Sequence, residues 1–350
     1  MNTEIVCIED PESHEDALSR AADIIRRGGL VVFPTETVYG LGGNALDADA
    51  ANRIYAAKGR PSDNPLIIHI ADPRDAERYA EASEAYYRLA KAFMPGPLTV
   101  ILPKKDAIPL SVTGGLSTVA VRCPAHPVAQ ALIRKAGVAI AAPSANLSGK
   151  PSPTSAEHVI HDLSGRVDMI IDGGDCEIGL ESTIVSLDGN RATLLRPGAV
   201  TRDALACVLE EVTVSEAVER KLKMNERPLS PGMKYRHYAP DAPLVLLTGD
   251  DERIIDFLRA EQEKEGGCVI LAYDEEISRL SPEGLLPVGR RDDLARQAQT
   301  LFSRLREADT LHPRIVYAHL PPKDGLGLAL YNRMIRAAAH TIMEIHSPKA

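Results

Sequence analysis

HPVAQALIRKAGVAIAAPSAN, residues 126–146, decides the fold. Residues 126–137 read as a helix, and 138–146 as a strand that runs into a loop. The strand is apolar on both faces, so its sheet must be covered on at least one side. The alternation continues outward. LTVILP (98–103) and TVAVRCP (118–124) precede it as strands, and RDAERYAEASEAYYRLAKAF (74–93) as a helix stopped by Pro95-Gly96-Pro97. Further back lie the strand PLIIHI (65–70), the helix 47–59 with Asp47 or Asp49 as N-cap, the strand LVVFP (30–34) and the amphipathic helix 15–27. Forward lie the strands VDMIIDGG (167–174), STIVSLDG (182–189) and RATLLRPG (191–198), then a predicted helix at 201–222. Apolar strands alternating with helices define an α/β protein.

The pattern breaks at NERPLSPGMKYRHYAPDAP (225–243), a Pro-rich basic and aromatic stretch read as a linker. It then restarts with LVLLTG, CVILAYD, LLPVG and RIVYAHL as strands between helices, closing on LGLALYNRMIRAAAHTIMEI as a helix. The division is therefore 1–212 as a first α/β domain, 213–242 as helix end and linker, and 243–350 as a smaller Rossmann-like domain. No GxGxxG follows the first strand of that second domain, which argues against a dinucleotide there. A ligand of its own remains a minor reading.

Composition narrows the function. The 350 residues carry a net charge of −9, so a protein built to grip nucleic-acid backbone is not expected. With no Trp and four Phe, a base-stacking platform is not expected either. Five scattered cysteines without metal-ligand spacing fit reduced thiols in the cytoplasm. Cys123 is a candidate nucleophile, but no base motif accompanies it. The acidic N-terminus does not read as a signal peptide, and no stretch is apolar enough to span a bilayer.

Three clusters carry chemistry. KGRPSDNP (58–65) reads as an anion clamp on an exposed loop, with Lys58 as a mobile charge and Arg60 as a planar fork. Alternatively, Lys58 complements its helix C-terminus. APSANLSGKPSPTS (142–155) supplies hydroxyls and an amide after a strand's C-terminal end, where open α/β sheets bind ligands. PTETVYGLGGNA (34–45) places small hydroxyl residues beside a flexible Gly stretch, which suits a small polar substrate. Each has an ordinary loop as its alternative, and His69 taken alone reads first as a satisfied core histidine. Arg122 and Arg196 both finish buried strands, which is expensive unless each is paired or holds an anion. Two such arginines and a basic loop in an acidic protein point to an anionic substrate. No Walker A loop is present.

In order, GGLVVFPTETVYGLG, KGRPSDNPLIIH, FMPGPLTVIL, VAVRCPAHP, APSANLSGKPSPT, ESTIVSL and LLRPG resemble the Sua5/YrdC family of threonylcarbamoyl-AMP synthases over residues 15–200. SPGMKYRHYAP and LGLALYNRMIRAA resemble its two-domain Sua5 branch. The resemblance implies a YrdC-like twisted open sheet. The implied reaction takes L-threonine, bicarbonate or CO2, and ATP to L-threonylcarbamoyl-AMP and pyrophosphate, with Mg2+ accompanying ATP. The product would pass to the tRNA threonylcarbamoyl transferase complex for modification of tRNA position 37. By motif match, Thr35 or Thr37, His69, Arg122, Ala142 (backbone) and Ser182 would hold threonine. Lys58, Arg60, Asn64, Thr118, Ser144, Asn146, Ser152 and Arg196 would hold ATP, with Lys58 and Arg60 also assigned to catalysis. Tyr235 and His237 of the linker would contact the nucleotide as a lid. The alternatives are an RNA-binding module without catalysis and a hydrogenase-maturation carbamoyltransferase. The latter carries Cys zinc motifs not seen here.

Overall fold

A computed structural model describes residues 2–220 and 238–346. The chain divides into two units, residues 1–148 with 152–234, and residues 149–151 with 235–350.

The first unit holds strands β1 (Glu4–Cys7), β2 (Val31–Phe33), β3 (Gly40–Asn44), β4 (Ile67–His69), β5 (Leu98–Pro103), β6 (Thr118–Arg122), β7 (Ile140–Ala142), β8 (Met169–Asp172), β9 (Thr183–Asp188), β10 (Arg191–Arg196) and β11 (Glu211–Val214). They form one mixed sheet in the order β1-β8-β2-β3-β7-β4-β6-β5-β9-β10-β11. Its helices are α1 (Glu15–Arg26), α2 (Ala48–Lys58), α3 (Glu84–Phe93), α4 (Pro127–Ala136), α5 (Ala156–Leu163) and α6 (Arg202–Ala206).

Leu18, Ala21, Ala22 and Ile25 of α1 pack with Val128, Ala129, Leu132 and Ile133 of α4 onto Val31, Phe33, Ile140 and Met169 of the sheet. The alanines let the two helices sit close to the strands. Gly42 serves the same end, because a Cβ there would lie 2.7 Å from both the Phe33 ring and Ile140. Burying an aliphatic side chain of this size contributes ~1.5–3 kcal/mol, so this layer carries much of the unit's stability. The Asp47 side chain caps α2 by accepting from Asp49 N–H. Gly59, at φ 62° in the left-handed region, ends α2 and leaves Lys58 as its last residue.

Several segments differ from the sequence reading. Residues 201–222 are not one helix: α6 is short, and Glu211–Val214 pair in parallel with β10 instead. The β-branched Val212, Thr213 and Val214 favour the pleated edge over a helix. Residues 74–93 split into a 3-10 segment, Pro73–Arg78, and α3, whose N-terminus Ser83 caps. The Gly stretch 40–44 is buried strand β3, not a flexible loop.

The second unit contains β12 (Leu244–Gly249), α7 (Asp251–Gln262), β13 (Cys268–Ala272), β14 (Leu285–Pro287), α8 (Leu294–Thr310), β15 (Ile315–His319), α9 (Gly327–Ala337) and β16 (Ile342–Ile345). Its sheet, ordered β14-β13-β15-β12-β16, is parallel throughout. The closing helix stops at Ala337, and the β-branched and apolar Thr-Ile-Met stretch beyond it adds an edge strand. Lys150 belongs to this unit and pairs with Asp241 at 2.6 Å and Asp309 at 3.5 Å.

Candidate active site

Strand register assembles one polar row on a single face of the first sheet. His69 of β4 and Thr99 of β5 both lie opposite Arg122, the last residue of β6. The Thr99 hydroxyl meets the Ser182 hydroxyl at 2.7 Å. Arg196, closing β10, donates from Nη2 to Ser182 Oγ at 3.1 Å and from Nε to Ser182 O at 3.0 Å. All five residues are buried.

His69 Nδ1 lies 3.3 Å from the Ile140 carbonyl. A carbonyl only accepts, so Nδ1 carries the ring proton and Nε2 is left as an acceptor. Burial, and then the nearby Arg122 charge, push its pKa down from 6.5 to about 3. His69 is therefore a neutral hydrogen-bonding group at physiological pH.

Arg122 has a partner that the sequence-based assignment left out. Its Nη2 lies 2.8 Å from Glu36 Oε1, and both side chains are buried. The signal was a lone acid between Thr35 and Thr37 in a chain with a buried arginine needing a counter-charge. Among the described residues, neither Glu36 oxygen nor Arg122 Nε or Nη2 makes a hydrogen bond of good geometry. Thr35 and Thr37 divide their tasks. The Thr35 hydroxyl accepts from the Thr37 and Val38 N–H groups and donates to Val38 O at 2.6 Å, building the turn. With the Thr35 proton given to Val38 O, the Thr37 hydroxyl donates to Thr35 Oγ1 at 2.9 Å.

A second group forms where β7 ends and β4 begins. β7 runs antiparallel to β4, with Ala142 opposite Ile67, so residues 144–146 emerge beside the segment that precedes β4. The Lys58 ammonium donates to Ser144 O and Asn146 O at 2.5 Å each and to Asn146 Oδ1 at 3.2 Å. These three acceptors are neutral groups that orient the ammonium. Ser144 Oγ donates to Asn146 Oδ1 at 2.6 Å. Lys58 is only 3% exposed, which corrects its placement on an exposed loop: helix α2 ends there and the 144–146 segment covers it. Arg60 follows, half-buried, donating to Asn64 O and Pro65 O at 3.2 and 3.1 Å. Asn64 is 0% exposed, and neither side-chain amide atom has a hydrogen-bond partner among the described residues. Thr118 begins β6 at this same end, two residues before the Ala120–Ile67 pairing.

The 34–39 loop relates the two groups. Gly40, just beyond it, bridges Ser144, while Glu36 within it reaches Arg122. The Ser152 hydroxyl donates to Glu181 Oε1 at 2.5 Å, and Glu181 precedes Ser182 in the chain. Tyr235 and His237 fall outside the described residues. Burial pushes the Cys123 thiol up to about 11, so it is protonated at neutral pH and unsuited to nucleophilic attack.

In the second unit, connections leave β13 and β15 in opposite directions, so the crevice between their C-terminal ends is the usual ligand position. Here it is filled by the chain itself. His319 stacks on Tyr273 with centroids 4.7 Å apart, and its Nε2 lies 2.8 Å from Glu276. The cavity remaining is about 20 Å³, room for a single water.

The first unit is thus an open α/β domain whose buried cations and hydroxyls suit small anionic and zwitterionic substrates. The family model Sua5_yciO_yrdC, described as "Telomere recombination", matches residues 23–198, and the model "Threonylcarbamoyl-AMP synthase, C-terminal domain" matches 200–339. The threonylcarbamoyl-AMP synthase of Bacillus subtilis is 45% identical over 337 residues, 96% of each chain. That of Pyrococcus abyssi is 45% identical over 334 residues, 93% of this chain and 95% of its own. The crystal structure of P. abyssi Sua5 complexed with L-threonine matches with a TM-score of 0.90 and 43% identity, covering 99% of this chain and 100% of that one. The chain belongs to the threonylcarbamoyl-AMP synthase family, in its two-domain Sua5 form, and is an enzyme of the nucleotidyltransferase type. No helix among the described residues is long and apolar enough to cross a membrane.

Proposed function

We propose that this enzyme joins L-threonine, bicarbonate or CO2, and ATP into L-threonylcarbamoyl-AMP, releasing pyrophosphate. The observation that carries this reading is the pairing of the His69–Arg122–Thr99–Ser182–Arg196 row with the Lys58 cradle in one domain.

The row suits threonine. Arg122 offers its fork to the carboxylate, His69 Nε2 and Thr37 suit the side-chain hydroxyl, and the Ala142 backbone and Ser182 border the head group. Threonine's ammonium first gives up a proton to water; the neutral amine nitrogen then bonds to the carbon of CO2 and gives up a second proton to water, giving a carbamate. A carbamate oxygen attacks the α-phosphorus, and the bond from that phosphorus to the bridging oxygen of the β-phosphate breaks as pyrophosphate leaves. Two anions must approach each other, and fixed positive charge in a water-poor site lowers that barrier. Lys58 and Arg60 supply it, with Ser144, Asn146, Asn64 and Thr118 at the same end of the strands. Arg196 and Ser152 stand at the Arg122 end and suit the nucleotide portion nearest the threonine. Holding both reactants aligned supplies rate without a covalent intermediate.

Mg2+ is proposed as a passenger of the triphosphate, where it neutralises phosphate charge. Among the described residues no three metal-binding side chains converge. The site carboxylates Glu36 and Glu181 already face Arg122 and Ser152. The product is a mixed anhydride that needs a prompt acceptor, which supports handover to the tRNA threonylcarbamoyl transferase complex. All five cysteines are free thiols, which supports a cytoplasmic location.

The test is pyrophosphate release from ATP with and without L-threonine and bicarbonate. Release that ignores threonine would sink the synthase reading.

A further inference from the structure

The Glu36–Arg122 contact is unusual for a structural ion pair. A guanidinium recognises a carboxylate through two parallel N–H bonds from one edge. Nε and Nη2 form such an edge, and these are the two Arg122 atoms without a hydrogen bond among the described residues. Glu36 nevertheless sits 2.8 Å from Nη2. Its carboxylate supplies charge to a buried arginine through an ion-pair contact at one atom of that edge, without the two parallel hydrogen bonds. Both Glu36 oxygens are buried and make no hydrogen bond among the described residues.

This geometry has a consequence for any ligand that docks on the Arg122 fork. A carboxylate placed there lies close to a second, fixed carboxylate, in a buried setting where like charges repel strongly. A plain anion gains Arg122 and loses to Glu36. A ligand that also carries an ammonium turns the same charge into an attraction. His69, neutral beside the pair, changes nothing in this balance.

We propose that Glu36 is the specificity-determining residue that makes the Arg122 subsite select an amino-acid zwitterion over a carboxylate without an amine. It also positions Arg122. The inference rests on the reading of Arg122 as the threonine carboxylate site.

Calorimetric binding of L-threonine and of 3-hydroxybutanoate, the same skeleton without the amine, tests it on the full-length enzyme. Wild type should prefer L-threonine at least 100-fold. Glu36→Gln should weaken threonine at least tenfold and tighten 3-hydroxybutanoate, narrowing the ratio from both sides. Glu36→Asp should restore the wild-type order, and the KM for ATP should stay within twofold in both variants. Equal weakening of both ligands by Glu36→Gln would reduce Glu36 to scaffolding and overturn the proposal. If that variant does not fold, wild type decides: comparable affinity for the two ligands overturns the proposal, and strong preference for L-threonine methyl ester over 3-hydroxybutanoate supports it. Threonine binding with the expected selection, but no threonine-dependent pyrophosphate release, would count against the synthase reading alone.

Discussion

Replacing Lys58 with Met keeps the side-chain length and removes the charge. In the structure the acceptors of that charge include Ser144 O and Asn146 O at 2.5 Å and Asn146 Oδ1 at 3.2 Å. Hydrogen bonds from a charged donor contribute ~1.5–3 kcal/mol each, but methionine also spares the cost of burying an ammonium. The net loss of stability should therefore be ~1–3 kcal/mol, within the margin of a folded domain. The effect on chemistry is larger. A unit charge ~4 Å from a phosphate oxygen, at an effective dielectric of ~20, is worth ~4 kcal/mol. At ~1.4 kcal/mol per decade, turnover should fall ~1000-fold. Three measurements are needed: pyrophosphate release at saturating substrates, urea unfolding, and calorimetric threonine binding without nucleotide. Threonine affinity should hold within threefold, because Arg122 and its neighbours rest on other strand ends. A folded Lys58→Met enzyme with turnover within tenfold of wild type would refute the electrostatic role. Joint loss of threonine affinity and stability would instead make Lys58 a structural tie between α2 and residues 144–146.

The remaining predictions are shorter. His69 has a folded pKa of about 3 against 6.5 when free, so below ~pH 6.5 the unfolded chain takes up a proton that the folded chain refuses. Stability present above that pH is lost as pH falls toward 3, by about 2 kcal/mol at about pH 5. His69→Gln should flatten the urea midpoint between about pH 5 and 7, and a curve parallel to wild type would contradict the burial argument. Asn64→Leu removes two buried amide atoms that lack partners, so stability should hold while the KM for ATP rises about tenfold; an unchanged KM removes Asn64 from the nucleotide site. Gly198→Ala would put a Cβ 2.6 Å from Thr183 N and 2.7 Å from its hydroxyl, so melting should show a loss of ~1–3 kcal/mol. Threonine affinity should drop with it, because Thr183 follows Ser182. A neutral effect on both would show that this backbone gives way easily.

Long apolar runs were legible before any coordinates. LTVILP and LVLLTG became β5 and β12 at the stated limits, because burial on both faces leaves an unbroken signal. Short edge strands were not: β1, β11 and β16 mix exposed and charged residues, and their pairing depends on partners distant in the chain. The same holds for the site. Arg122, Arg196 and Lys58 announced themselves as charges next to buried strands. Glu36 did not, because its meaning comes from reaching across the sheet to Arg122. Nor could composition show that the Thr35 hydroxyl is tied into its own turn, since that depends on backbone direction.

The polar row has a consequence for how the enzyme is made. His69, Thr99, Arg122, Ser182 and Arg196 come from separate segments, and only correct register brings them side by side. During synthesis, the chain emerging from the ribosome cannot complete this row until Arg196 has cleared the exit and β10 has paired with β9. Long-range pairing of that kind is slow relative to helix formation. The row therefore forms late and together with the finished sheet.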